Sequence, residues 1–280
     1  LREQDGVGVL PIEESYVARG LPEHADLAAR GFLVRAGCAD CPPVYLDGVS
    51  DINTHNWWGR GGMIDWTLDA AADYWHDLKR QPLIEDDVLG QWVDLGEPEM
   101  YDAIDSPGDP ADWAHGVEPG GHAHADWHNA YNLKWAEGIA RGYRRNGVAR
   151  RPFVLSRTGT AGIQRHGVAM TSGDIASNLE SLATHLNAQL HMSFSGVDYF
   201  GSDVGGFLRR GLTGEALDDL YTRWFATNAW LDVPLRPHTE NLCNCKETAP
   251  DRVGERESNL ANLRERVAIS VDGGVQTGEQ

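Results

Sequence analysis

Gly90-Gln91-Trp92-Val93-Asp94-Leu95-Gly96-Glu97-Pro98-Glu99 carries the clearest structural signal in the chain. A short apolar run, Val88 to Val93, delivers one carboxylate at its carboxyl end, and a Gly-Glu-Pro turn follows at once. Buried parallel strands read as such runs, and an acid at the strand's end stands at the mouth of an α/β barrel. Further along, Thr171-Ser172-Gly173-Asp174 sets a second carboxylate just before a long amphipathic helix. Two isolated carboxylates, each beside Trp, Gly or a hydroxyl, suit acid/base chemistry on a sugar. Either aspartate alone suits a helix N-cap or turn equally well, so the argument rests on the pair.

On both sides of this stretch, strand-then-helix units recur. Val7 to Ile12 is an apolar run that empties into Glu13-Glu14-Ser15-Tyr16, and Leu21 to Arg30 makes a short helix or turn. The section 37–65 carries Pro42-Pro43, Gly59, Gly61 and Gly62 with little periodicity, and reads as an irregular loop excursion. Trp57, Trp58 and Trp66 offer either faces for sugar rings or plain core filling. Thr67 is expected to cap a helix running to about Arg80, where Pro82 stops it. After the loop Tyr101–Gly121, a helix over 125–147 places Tyr131, Trp135, Ile139 and Tyr143 at core spacing.

Arg151 to Arg157 and Gly167 to Thr171 are the next strands; Gly159 and Gly162 match no phosphate-binding pattern. The helix after Asp174 carries Ile175, Leu179, Leu182, Leu186 and Leu190 on one face. Gly196 to Asp203 is a strand with an acid at its end, Leu217 to Leu231 a helix, and Val233 to His238 a strand with His at its tip. Polar residues at almost every strand end are the signature of a (β/α) barrel whose active site is assembled at one face. An open doubly wound sheet would gather them at one switch point.

The formal net charge of −18 argues against nucleic acid and against an anionic membrane as partners. No apolar run approaches the roughly 20 residues needed to cross a bilayer. Leu1-Arg2-Glu3 shows no signal-peptide pattern, and the compartment stays open, with the cytoplasm favoured. The pairs Cys38-x-x-Cys41 and Cys243-x-Cys245 read as free or loosely paired loop thiols, ahead of a four-thiolate zinc site, because turn glycines are missing. His122, His124 and His128 lack a helical metal spacing and read as a polar loop. No metal and no cofactor is expected.

Trp92-Val93-Asp94-Leu95-Gly96-Glu97-Pro98-Glu99 resembles the nucleophile motif of glycoside hydrolase family 31, the α-glucosidase and α-xylosidase group. Leu155-Ser156-Arg157, Gly162-Ile163-Gln164-Arg165, Ser172-Gly173-Asp174, Gly201-Ser202-Asp203-Val204-Gly205-Gly206-Phe207, Arg223-Trp224-Phe225 and Arg236-Pro237-His238 resemble its later blocks in the same order. The resemblance implies a retaining α-glycosidase on a (β/α)8 TIM-type barrel, with a carbohydrate substrate, most simply an α-glucosidase. An α-xylosidase, an α-glucosyltransferase and an inactive sugar-binding fragment are the alternatives.

By that resemblance Asp94 is the nucleophile and Asp174 the general acid/base. Arg157, Asp203 and His238 bind hydroxyls or orient the acid, Trp92 lines the subsite, and Glu97 supports the nucleophile. Thr171 stands where the family usually has Trp, and Pro237 where Ser is commoner. The family's first strands are expected before residue 1, and the helix at 262–269 runs into Val271-Asp272-Gly273-Gly274. The expectation is therefore a single catalytic barrel domain over 1–280, incomplete at both ends.

Overall fold

The computed structural model describes residues 4, 6–37, 46–47, 60–96, 114–115, 122–208, 212 and 214–231. The chain divides into two compact units, Leu1–Met170 and Thr171–Gln280.

In the first unit, β1 (Ile12–Glu14) and β2 (Tyr16–Ala18) flank the fully buried Ser15 and enter different sheets. Extended chain precedes β1, with the Val9 and Pro11 carbonyls accepting from Leu89 and Trp92 at 2.9 and 2.8 Å. The helix expected near Leu21 is α1 (Pro22–Ala29), with proline in the first turn, where its missing N–H costs no bond. Next come β3 (Leu46–Asp47) and β4 (Arg60–Met63), which complete the antiparallel sheet β2-β4-β3. The section 37–65, expected to be irregular, thus contributes two of that sheet's three strands.

Pro82 does not end the following helix. α2 (Asp69–Trp75) opens into a π-helical turn at His76–Arg80 and continues as α3 (Gln81–Glu85). The Gln81 N–H reaches back five residues to the His76 carbonyl. A proline just past such a turn falls where the regular ladder is already interrupted, so its missing N–H is tolerated. Nor does Thr67 cap: Leu68 holds the N-cap position, while the Thr67 hydroxyl donates to Asp65 at 2.6 Å.

The wide turn delivers Arg80, wholly buried, to Glu13 at the core side of β1. Its Nη2 donates to Glu13 Oε1 at 2.5 Å and its Nε to Oε2 at 2.9 Å. Trp135 Nε1 donates to the same Oε1 at 2.6 Å. The guanidinium lies 5.1 Å from the Trp66 ring, which stacks on Trp135 at 5.0 Å.

β5 (Gly90–Asp94) follows, then the small pair β6 (Ala114–His115) and β7 (His122–Ala123). The helix expected over 125–147 is α4 (His124–Trp127), a 3₁₀ turn at His128–Ala130, and α5 (Tyr131–Arg145). Its stripe is buried as the spacing predicts: Tyr131, Trp135, Ile139 and Tyr143 are all core. The histidine cluster is not simply a polar loop. His122 sits in a strand, and His124 is buried with its ring edge-on to His128 at 5.5 Å.

β8 (Phe153–Ser156) and β9 (Val168–Thr171) follow in the same sheet as β5. The parallel order is β1-β5-β8-β9, with Ile12, Trp92 and Leu155 in register across three strands.

In the second unit the chain leaves Thr171 and forms α6 (Leu179–Phe194), β10 (Phe200–Gly201) and α7 (Gly214–Leu231). Asn178 caps α6 by accepting the Ser181 N–H at 2.7 Å. Leu182, Val204, Leu220, Tyr221 and Trp224 make the core. The predicted α6 stripe holds at the buried Leu182 and the half-buried Leu186, but Leu179 and Leu190 are exposed, and His185 and Gln189 are buried instead. The strand expected at 233–238 and all four cysteines lie outside the described residues. No helix among the described residues is long and apolar enough to cross a membrane.

Breaking a buried ion pair by removing one partner costs about 3–5 kcal/mol, whereas an apolar pair of similar volume is often tolerated. Glu13→Ala is therefore expected to lower unfolding free energy by about that amount in urea titration. Glu13→Leu combined with Arg80→Met should recover most of it.

Burial pushes the His76 imidazole below its ordinary 6.5; the contact with Asn146 opposes this, while Arg80 and Arg145 add to it. A depressed folded value means that stability is full above the unfolded pKa and is lost as pH falls, because the unfolded chain takes the proton first. The melting temperature should accordingly drop as pH is lowered through about 6.5, and His76→Gln should flatten that limb of the profile.

Candidate active site

The site begins with β5, held in parallel between β1 and β8. Alternation places Gln91 and Val93 on one buried face, and Trp92 and Asp94 together on the other, each partly exposed. The Asp94 carboxylate leaves the strand's carboxyl end opposite Glu14 of β1.

Leu95 then turns sharply, with φ of 52° and its side chain buried. A left-handed backbone at a non-glycine residue costs on the order of 1–3 kcal/mol and persists only where the surroundings enforce it. Here it aims the Leu95 N–H at Asp94 Oδ1, 3.0 Å away. Arg157, just past β8, brings its Nε to 3.7 Å from the same oxygen. The Arg157 backbone N–H donates to the Val93 carbonyl at 3.2 Å, tying the two strand ends together.

Among the described residues the protein thus engages Oδ1 of Asp94 and leaves Oδ2 open. One oxygen held and the other open is an arrangement suited to nucleophilic attack.

The second unit holds the other carboxylates. Ser172 N–H donates to the Gly201 carbonyl at 2.8 Å, carrying the line of β9 past Thr171 to an exposed Asp174. Thr171 is buried, its hydroxyl donating to the Ser172 carbonyl at 3.1 Å. The loop behind Asp174 is laced to residues 205–208. Phe207 and Leu208 N–H both donate to the Ile175 carbonyl, at 2.8 and 3.0 Å, and Ser177 N–H donates to Leu208 at 3.0 Å.

Gly206 makes that lacing possible. Its φ is +76°, and a Cβ there would fall 2.9 Å from the Ala176 carbonyl oxygen. Asp203, nearly buried, follows a fully buried Ser202 whose hydroxyl accepts from Trp224 Nε1 at 2.8 Å. Asn228 Nδ2 donates to the Ser202 carbonyl at 3.1 Å. Glu97 and His238 lie outside the described residues.

A sequence profile described as the glycosyl hydrolases family 31 TIM-barrel domain matches residues 1–268. The chain belongs to glycosyl hydrolase family 31. "Alpha-glucosidase 2" of Bacillus thermoamyloliquefaciens is 30% identical over 67% of this chain and 22% of its own length. Human "neutral alpha-glucosidase C" is 27% identical over 76% of this chain and 22% of its own length. Among solved structures, a Tris-bound glucosidase II alpha subunit superposes with TM-score 0.71 at 25% identity, covering 94% of this chain and 27% of that one. A family 31 α-xylosidase from a soil metagenome, complexed with xylose, gives TM-score 0.69 at 19% identity over 96% of this chain and 40% of that one. The chain spans about a fifth to a quarter of the length of these curated relatives.

Within this family 31 barrel, the structure gathers Trp92, Asp94 and Arg157 at one set of strand ends, and Asp174 and Asp203 on two laced loops. Motif reading missed the left-handed Leu95, for which a leucine gives no local signal. It also missed Asn132, although a polar residue flanked by Tyr131, Trp135 and Ile139 on one helix face was there to be noticed.

The lacing gives a direct test. Gly206→Ala should strain both the backbone and the contact with Ala176, loosening the Asp174 loop while the Trp224 core stays intact. Hydrogen exchange at the Ser177, Phe207 and Leu208 amides is expected to accelerate by tenfold or more, about 1.4 kcal/mol of local opening.

Proposed function

We propose that this protein is a retaining α-glycoside hydrolase acting on α-linked glucosides by double displacement. The observation that carries the reading is Asp94 at the end of the parallel strand β5, with Oδ1 held by Leu95 N–H and near Arg157, and Oδ2 without a partner among the described residues. Family membership supports the chemistry, and the curated relatives named as α-glucosidases favour glucose as the cleaved unit.

In the first step the open oxygen of Asp94 attacks the anomeric carbon as the glycosidic bond breaks, and Asp174 delivers its proton to the leaving oxygen. In the second, Asp174 takes a proton from water, the water oxygen bonds to the anomeric carbon, and Asp94 leaves as carboxylate. A sugar hydroxyl in place of water turns hydrolysis into transfer. This mechanism requires the two carboxyls to stand about 5–5.5 Å apart across the bond. It treats 1–280 as one barrel domain and needs no cofactor.

Arg157, Asp203 and His238 serve the hydroxyls of the cleaved sugar, Trp92 lines its subsite, and Glu97 backs the nucleophile. Thr171, buried with its hydroxyl turned to its own chain, offers no indole face to the sugar. That is the one observation favouring a sugar-binding protein without turnover.

An activated aryl α-glucoside separates these readings. Asp94→Asn should abolish turnover with unchanged circular dichroism. Asp174→Asn should lower kcat/KM by about 10²–10⁴ for poor leaving groups, the usual contribution of a general acid, and much less for good ones. Wild-type turnover by Asp94→Asn ends the assignment. Glucoside binding with no turnover by the unaltered protein selects the binding reading.

A further inference from the structure

We infer that Asn132 is a positioning residue that sets Arg157 against Asp94. The inference rests on Asp94 being the nucleophile. Asn132 stands in the first turn of α5 and is almost completely buried. Its Nδ2 donates to the Ser156 hydroxyl and to the Thr158 carbonyl, the residues on either side of Arg157. The Ser156 hydroxyl closes the triangle by donating to the Thr158 carbonyl at 2.6 Å. A carbonyl only accepts, so the amide's nitrogen must face Thr158 and its oxygen must face away.

That other side meets the exit of β5. A Cβ on Gly96 would lie 2.9 Å from Asn132 Cγ and 3.0 Å from its Oδ1, and 2.9 Å from Thr158 Cγ2. One buried amide is therefore wedged between the turn that follows Asp94 and the turn that carries Arg157. The backbone bond from Arg157 N–H to the Val93 carbonyl fixes the same two turns from the opposite side. These two anchors fix the backbone from which the guanidinium reaches toward Oδ1. The arrangement calls for a neutral amide: a carboxylate would set an acceptor against the Thr158 carbonyl, and an apolar group would leave that carbonyl with the Ser156 hydroxyl alone and take away the link to α5.

A merely structural asparagine and one acting through Arg157 differ in a double-mutant cycle measured on the full chain. Asn132→Leu should lower kcat/KM for aryl α-glucosides by about tenfold or more, within the range of coupling between residues sharing a network. The loss should be the same for good and poor leaving groups, because the nucleophile side is affected. In an Arg157→Ala background the same substitution should cost less than twofold. Ser156→Ala, which keeps the Asn132 bond to Thr158, should show a smaller loss that also vanishes with Arg157→Ala. It serves as the deciding variant if Asn132→Leu fails to fold.

Multiplicative losses in the cycle, or unaltered kinetics, overturn the proposal. Labelling of the unaltered protein with 5-fluoro-α-D-glucosyl fluoride keeps the two levels apart. Adduct at Asp94 with multiplicative losses removes only the role of Asn132. Adduct elsewhere, or none, removes the nucleophile assignment and this inference with it.

Discussion

The first unit depends on one buried charge. Arg80 has no exposed surface, so its guanidinium is tolerable only where an anion and hydrogen-bond acceptors meet it. Glu13 supplies both, and its Oε1 also accepts from Trp135. A single carboxylate on β1 therefore ties together the helical segment 69–85 and α5. The stacked Trp66 and Trp135 close the low-dielectric shell around it. Because β1 pairs directly with β5, with Glu13 beside Val93, this clamp behind the sheet also fixes where Asp94 emerges in front.

The strand ends show why a barrel of parallel strands is a productive place for acid chemistry. Every parallel strand points its carboxyl end to the same edge, and hydrophobic burial fixes the register beneath. The positions above are then free to be polar. Asp94 and Arg157 come from neighbouring strands joined in one register, so their separation is a property of the sheet. The loops add the strained or crowded details: a left-handed leucine after Asp94, and a glycine at 206 that lets one loop lie against another.

Much of this was legible beforehand. The run 88–93 ending in Asp94 became a strand ending in Asp94, because a buried parallel strand needs only continuous apolar character to be recognised. The stripe Tyr131, Trp135, Ile139, Tyr143 became core for the same kind of reason. The helical segment 69–85 was misread at Pro82, since proline reports on the local ladder and a wide turn had already altered it. The α6 stripe holds only in part. Of the apolar face that its spacing predicted, Leu182 is packed but Leu179 and Leu190 are exposed, and His185 and Gln189 are covered in their place. Periodicity says that a helix has faces, and the neighbouring elements choose which is covered. The Leu95 conformation and the grip of Asn132 on two strand exits arise only from tertiary contact, so no local pattern announced them.

The π turn at 76–80 has a meaning beyond the bonds it makes. An α-helix advances by about 100° per residue, so one extra residue within a turn rotates everything after it by roughly that much. Residues before and after the turn therefore answer to different phases of the same helix. Lineages that dropped one residue from this segment would keep a perfectly good helix and lose the aim of Arg80. In comparing homologues, a one-position gap there is a change of direction rather than of length.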